Sequence, residues 1–135
     1  MKNLILALLI GTAVLVSPQA FAASKVENLH DITVPTRSDG SKLSLDEIRE
    51  AIFAGCRYKR WTPSADGANR IVAEIPVRSH WAQVVISYNE NSFSIEYKNS
   101  RNLDYNPKKN TIHRNYNKWV TLLSQAIQAE MSRSL

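Results

Sequence analysis

The imidazole and thiol side chains in this sequence, which are common zinc ligands, are three histidines and one cysteine. The histidines are His30, His80 and His113, and the cysteine is Cys56. Three histidines could bind zinc, which in catalytic sites often takes three protein ligands and a water. None of the three lies in a short-spaced pair, and the sequence contains no Cys-x-x-Cys motif. We therefore predict no metal site, and no motif indicates a cofactor.

Nucleophilic and acid–base motifs are absent as well. Cys56 falls on the apolar stripe of a predicted helix, whereas reactive thiols occupy exposed, electropositive positions. The serines lie mostly in turns and helix caps, without a Gly-x-Ser-x-Gly elbow. A paired-carboxylate hydrolase needs two acids that face each other, but the acids here are scattered along the chain. We assign no catalytic residue and expect a protein that is not an enzyme.

A polar cluster around the start of the last predicted helix is the candidate ligand-binding site. Its members are Asn99, Ser100, Arg101, Asn102, Tyr105, His113 and Asn117. One interpretation is a polar pocket with aromatic walls, suited to a sugar or a peptide. In that case the alternative function is a small hydrolase or lyase that uses a pocket around His113. The interpretation we favour is a structural network, in which Asn and Ser satisfy loop amides and His113 braces the helix start.

The first 22 residues have the layout of a cleavable signal peptide. Lys2 gives a positive start, residues 4–16 carry no charge, and Ala20 and Ala22 place small residues where a signal peptidase reads. The apolar run fits the usual length of about 7–15 residues and falls short of the roughly 20 that a spanning helix needs. We predict cleavage near Ala22, a periplasmic or secreted protein, and no stable membrane insertion.

The formal net charge of +5 can favour anionic partners, although it can also simply keep a protein soluble. Basic and aromatic residues are mixed at Lys59, Arg60 and Trp61 and again between Arg101 and Trp119, as in proteins that contact phosphates and stack on bases. An exported protein seldom meets nucleic acid, so we expect no nucleic-acid partner. An anionic envelope polymer, lipid headgroups or an envelope protein are the better candidates.

Residues 23–135 carry the patterns of one compact α+β domain. Residues 23–28 suggest a frayed terminus, 30–35 a short edge strand ended by Pro35, and 63–67 a loop. Ser44 and Glu47 form a capping-box signature ahead of a helix with one apolar face. That face contains Leu45, Ile48, Ala51, Ile52, Gly55 and Cys56. Gly55 within this face predicts the close approach of another backbone.

Three alternating strands follow, and a long amphipathic helix spans about 111–133. The predicted inward rows begin at Ile71, Ala82 and Phe93, and Pro76 argues against a central strand or marks a bulge. The apolar stripe of the last helix consists of Tyr116, Trp119, Val120, Leu123, Ile127 and Met131. The predicted architecture is a two-layer β-α-β-β-β-α fold, an antiparallel meander sheet covered on one face by two amphipathic helices.

A sequence pattern spans the third of these strands and the last helix. It is Tyr-x-x-Ser-x-Asn-Leu-x-Tyr at 97–105, followed by Ile-His-x-x-Tyr-Asn-x-Trp at 112–119. With Trp61 and residues 78–80, it resembles small uncharacterised bacterial periplasmic or envelope proteins, many of them classed as lipoproteins. The resemblance implies an envelope location and a shared fold, and it carries no activity. This chain departs from the lipoproteins because no lipidation cysteine follows the apolar run.

Overall fold

The strands form a five-stranded antiparallel sheet and a separate two-stranded one. The computed structural model describes residues 11–14 and 23–135, so the predicted signal peptide lies outside the described residues apart from 11–14. The strands of the larger sheet are β2 (Leu29–Thr33), β3 (Thr62–Ala65), β4 (Arg70–Val77), β5 (His80–Tyr88) and β6 (Ser92–Arg101), in the order β2-β6-β5-β4-β3. The smaller sheet pairs β1 (Ser24–Lys25) with β7 (Thr111–Ile112).

Two helices, α1 (Leu45–Tyr58) and α2 (Arg114–Arg133), complete the fold. One hydrophobic core joins their apolar faces to one face of the larger sheet. The sheet contributes alternate residues of each strand, as the period-2 pattern predicts. These include Ile71, Ala73, Ala82, Val84, Ile86, Phe93 and Ile95. The predicted α+β fold is confirmed. Among the described helices, none is long and apolar enough to cross a membrane.

The start of α1 is fixed by the predicted capping box. The hydroxyl of Ser44 accepts a hydrogen bond from the Glu47 amide at 3.1 Å, and the Glu47 carboxylate accepts one from the Ser44 amide at 3.1 Å. Leu45 was expected on the buried face but is 37% exposed. It is the first helical residue, and side chains tilt toward the N-terminus of their helix. Its side chain therefore lies ahead of the core.

Gly55 is a point of close approach between α1 and α2. A Cβ atom built on Gly55 would lie 2.8 Å from the backbone N and Cα of Ile127. This confirms the close backbone approach that Gly55 predicts. On the next residue, Cys56, burial raises the pKa of the thiol to about 12, with Arg57 lowering it slightly. The thiol is free, buried and protonated at neutral pH.

Helix α2 begins three residues later than predicted. Thr111 and Ile112 pair with β1, and His113 is the N-cap. Five of the six predicted stripe residues are buried, but Trp119 is only half-buried. The indole of Trp119 lies at the edge of the core, its centroid 6.3 Å from that of the His80 ring.

The predicted element order omitted β1, β3 and β7. Residues 23–28 are not frayed, since β1 is paired and Val26 is buried. Residues 62–65 pair with β4 although Pro63 and polar neighbours resemble a loop. Pro76 lies in an inner strand, contrary to expectation. It is tolerated because β3 pairs with β4 only as far as Glu74. No residue of β3 lies opposite Pro76, so the missing N–H of the proline breaks no hydrogen bond to β3.

Candidate ligand-binding surface

The seven predicted site residues do not meet in a single pocket. Six of them divide among three local groups at one end of the molecule, where β6, the loop after it, β7 and the start of α2 come together, and Asn117 stands apart from these groups. Each group has its own hydrogen-bond or ring contacts. These residues therefore lie on a broad surface and not in the single pocket that one of the two interpretations requires.

The first group joins His113 and Asn102 to His80, which begins β5. The Nδ1 atom of His113 accepts a hydrogen bond from the Asn115 amide at 3.1 Å, so His113 caps α2. The Nδ1 atom of His80 lies 2.6 Å from the carbonyl oxygen of Asn102 and must carry the hydrogen, because a carbonyl only accepts. The Asn102 side chain donates to the carbonyl of Ser79 at 2.7 Å. The two imidazole centroids are 6.0 Å apart.

We expect His113→Ala to destabilise the protein by about 0.5–2 kcal/mol, the usual cost of removing an N-cap acceptor. His113→Asn should restore most of the loss, since asparagine is a good cap. Arg101→Ala is the control and should stay within about 0.5 kcal/mol of the parent. Urea denaturation of the three variants measures these differences. A midpoint for His113→Ala equal to that of the parent would contradict the capping role.

The second group is a set of tyrosines. Tyr105 stacks on Tyr97 with centroids 4.3 Å apart, and Tyr116 meets Tyr97 edge-on at 5.6 Å. The hydroxyls of Tyr97 and Ser100 are 2.7 Å apart. Burial raises the pKa values of Tyr97 and Tyr116, and for Tyr116 the neighbouring tyrosines raise it further. Tyr105 is 37% exposed and is the solvent-facing ring of this stack.

Asn117, the last predicted site residue, has a structural position. Its side chain accepts a hydrogen bond from the Glu27 amide at 3.0 Å and donates to the Lys25 carbonyl at 2.7 Å. Asn117 therefore links the chain around β1 to the first turn of α2 by two hydrogen bonds. Both ends of its amide are occupied, so it is not a free ligand contact.

The third group lies on the sheet face away from the helices. Arg101 pairs in register with Trp81, and its guanidinium carbon lies 4.7 Å from the centroid of the Trp81 ring. Asn99 pairs with Gln83 on the same face. Trp81 was not among the predicted site residues. Alternation along β5 places Trp81 on the face away from the buried Ala82, which predicts an outward-facing ring. Its contact with Arg101, however, depends on a register shift within β6.

The charge of the chain is concentrated in residues 98–118, which we call the basic segment. It contains six basic residues against one acidic residue, Asp104, so its formal charge of +5 equals that of the whole chain. All six basic side chains are exposed. Within the described part of the chain, five of them have no ion-pair partner: Lys98, Arg101, Lys108, Lys109 and Lys118.

Hydrogen bonds hold the basic segment in one place. The amide of His113 donates to the Leu103 carbonyl at 2.8 Å, and Leu103 is itself buried. Asn106 and Thr111 form a bridge across the loop. The ammonium group of Lys25 donates to the Lys109 carbonyl at 2.6 Å. The basic side chains therefore project from a backbone with fixed contacts.

A concavity of about 240 Å³ lies over β4, β5 and β6. It is lined by Arg70, Val85, Ser87, Glu96 and Tyr97, and His113 does not line it. In residues 11–14 and 23–135, no group of three or more His, Cys, Asp or Glu side chains is arranged to hold a metal ion.

Comparison with family models, with curated proteins and with solved structures found no match for this chain.

Proposed function

We propose that this chain is an exported, periplasmic or secreted protein without enzymatic activity, which binds an anionic polymer of the cell envelope through the basic segment. One observation carries the proposal: a charge equal to that of the whole chain lies in 21 consecutive residues, with five exposed cations unpaired among the described residues. Like charges gathered at one end cost free energy through repulsion, and a polyanion relieves it. Export rests on the layout of residues 1–22, and the resemblance to envelope proteins agrees with it.

A polymer fits the surroundings of these cations better than a lipid bilayer does. A surface that inserts into a bilayer carries exposed apolar side chains such as Leu, Phe or Trp beside its basic residues. Among the described residues, Tyr105 is the one large hydrophobic side chain of the basic segment that is well exposed. The other neighbours of the cations are mostly amides and hydroxyls, which hydrogen-bond to hydrated polymers.

The alternative, a hydrolase or lyase that uses His113, receives less support from the geometry. A general base needs a free nitrogen within hydrogen-bond reach of a substrate. The Nδ1 atom of His113 is engaged by the Asn115 amide, and the described concavity lies elsewhere. We therefore propose a binding role for this end of the molecule.

The test measures affinity for polyphosphate and for polygalacturonate, with neutral dextran as the blank. The protein is taken from the periplasmic or secreted fraction, where its intact mass should correspond to residues 23–135. We expect binding to both polyanions and none to dextran. Raising the salt from about 0.1 M to about 1 M shortens the Debye length from about 10 Å to about 3 Å and should abolish binding.

Two triple variants locate the surface. Lys108→Gln/Lys109→Gln/Lys118→Gln should weaken polyanion binding by about tenfold, at a few tenths of a kcal/mol or more per charge. The matched control removes three charges at the end of α1, beside the opposite edge of the sheet: Arg57→Gln/Lys59→Gln/Arg60→Gln. It should bind nearly as tightly as the parent. Equal losses in the two triples, no polyanion binding at low salt, or tighter binding to phosphatidylglycerol vesicles would each overturn the proposal.

A further inference from the structure

Arg101 differs from the four lysines of the basic segment because its side chain stacks on an aromatic ring. It is the last residue of β6, and its guanidinium lies over the indole of Trp81, 4.7 Å from the ring centroid. Stacking on an aromatic face orients the guanidinium plane, whereas a lysine ammonium is a mobile point charge on a flexible stem. No described residue accepts a hydrogen bond from its side chain. An oriented set of five donors is therefore directed to solvent.

A register shift brings Arg101 to this face. Tyr97 pairs with Val84, and Asn99 pairs with Gln83, so Lys98 is the extra residue of a β-bulge. Paired residues of an antiparallel sheet share a face. Asn99 and Arg101 consequently lie on the outer face, with Gln83 and Trp81. Without the extra residue, Arg101 would turn toward the core.

Amide groups lie beside the guanidinium. The side-chain oxygen of Asn99 accepts a hydrogen bond from the Ser100 amide at 2.8 Å, which leaves the NH2 group of Asn99 available as a donor. Gln83 is its neighbour across the strand pair. Two acids, Glu74 and Glu96, share this face. Glu74, which pairs with Gln83 from β4, is two strands from Asn99, about 10 Å, a distance at which salt screens much of its repulsion. Glu96, which pairs with Val85, is nearer to Asn99 along β6, and the Nδ1 atom of His30 lies 3.7 Å from its carboxylate.

We propose that Arg101, held by Trp81 and assisted by Asn99, forms a subsite that binds one oxyanion of the polymer, a phosphate or a carboxylate. The guanidinium binds two oxygens of such a group through parallel hydrogen bonds, which a lysine does not reproduce. The lysines of the basic segment attract the polyanion at long range, and Arg101 selects and holds an individual anionic group. This inference rests on the proposed polyanion binding.

The test replaces the guanidinium group of Arg101, with its parallel hydrogen-bond donors, and keeps the positive charge. Arg101→Lys should lower the affinity for polyphosphate or polygalacturonate about tenfold at about 0.1 M salt, the loss expected for one charge-assisted hydrogen bond. Trp81→Leu, which leaves Arg101 in place but removes its platform, should lower it in the same direction. Lys109→Arg, a matched exchange of the two cations elsewhere in the basic segment, should bind like the parent. Thermal melts of Arg101→Lys and Lys109→Arg should match the parent, and Trp81→Leu, which loses part of a half-buried ring, should remain fully folded at the assay temperature.

The two polymers distinguish phosphate from carboxylate as the group that is held. The affinity that Arg101→Lys loses should be larger for the polymer whose oxyanion Arg101 binds. In NMR titrations with that polymer, the Trp81 indole N–H and the Asn99 side-chain amide should shift in the parent but not in Arg101→Lys. An affinity of Arg101→Lys within about twofold of the parent for both polymers, or shifts confined to the lysines, would overturn the subsite. That outcome would leave the proposed polyanion binding through Lys108, Lys109 and Lys118 intact.

Discussion

Replacing Tyr116 by alanine is expected to lower the free energy of unfolding by about 3–5 kcal/mol, the range for large aromatic residues truncated in a core. Tyr116 is 1% exposed, and its ring meets that of Tyr97 edge-on. The truncation leaves a cavity between α2 and the sheet. Because a domain of this size has about 5–15 kcal/mol in total, this loss is a large share of the stability. Urea denaturation followed by far-UV circular dichroism measures the loss.

Two further truncations separate burial from ring contact. Trp119→Ala should cost distinctly less than Tyr116→Ala, although Trp119 is the larger side chain, because it is half-buried. Tyr105→Ala should cost about 1 kcal/mol or less, since its ring is exposed and contributes mainly through stacking on Tyr97. A loss below about 1 kcal/mol for Tyr116→Ala, or a larger loss for Trp119→Ala, would contradict the assigned core.

Gly55→Ala should destabilise the protein by about 1–3 kcal/mol, the cost of overpacking a filled core. In an exposed helix the same exchange is stabilising by about 0.5–1 kcal/mol, because glycine is the poorer helix former. Here the new methyl group would lie 2.8 Å from backbone atoms of Ile127. The two helices must separate to accommodate it. Urea denaturation again gives the sign and size of the change.

The control for Gly55→Ala is Ala54→Gly on the same turn, which should cost only the propensity difference of about 0.5–1 kcal/mol. Adding Ile127→Ala to Gly55→Ala should not restore stability. It removes the Ile127 side chain but leaves its N and Cα atoms in the path of the new methyl group. A stabilising Gly55→Ala, or its rescue by Ile127→Ala, would contradict the backbone contact.

The elements that local patterns predict well are those whose signals are long or chemically specific. The capping box at Ser44 and Glu47 marks the start of α1 to the residue, and period-2 alternation identifies the inward rows of β4 to β6. The three strands that were not predicted have short and unspecific sequence signals. β1 and β7 are two residues each and exist only because distant segments pair. β3 carries Pro63, which locally favours a loop.

The candidate site was predicted in composition but not in arrangement. The polar residues between 99 and 117 do gather at one end of the molecule, but Asn117 binds the chain near β1 and His113 caps a helix. The cap at His113 is a local contact with the Asn115 amide, of the kind that the sequence suggests, whereas the partners of Asn117, Glu27 and Lys25, lie 90 and 92 residues away. The pairing of Arg101 with Trp81 depends on the single extra residue at Lys98, and a one-residue shift of register is invisible to hydrophobic patterning.

The two edge strands of the larger sheet bear on whether neighbouring copies of the protein can join edge to edge. An open edge can pair with the edge of another molecule and start aggregation. β3 is four residues long and contains Pro63, which cannot donate to a neighbour. β2 is interrupted by a register shift next to Asp31, whose φ of 52° bends the strand. Neighbouring copies, including those that the proposed polyanion would bring together, can therefore lie side by side without joining into one continuous sheet.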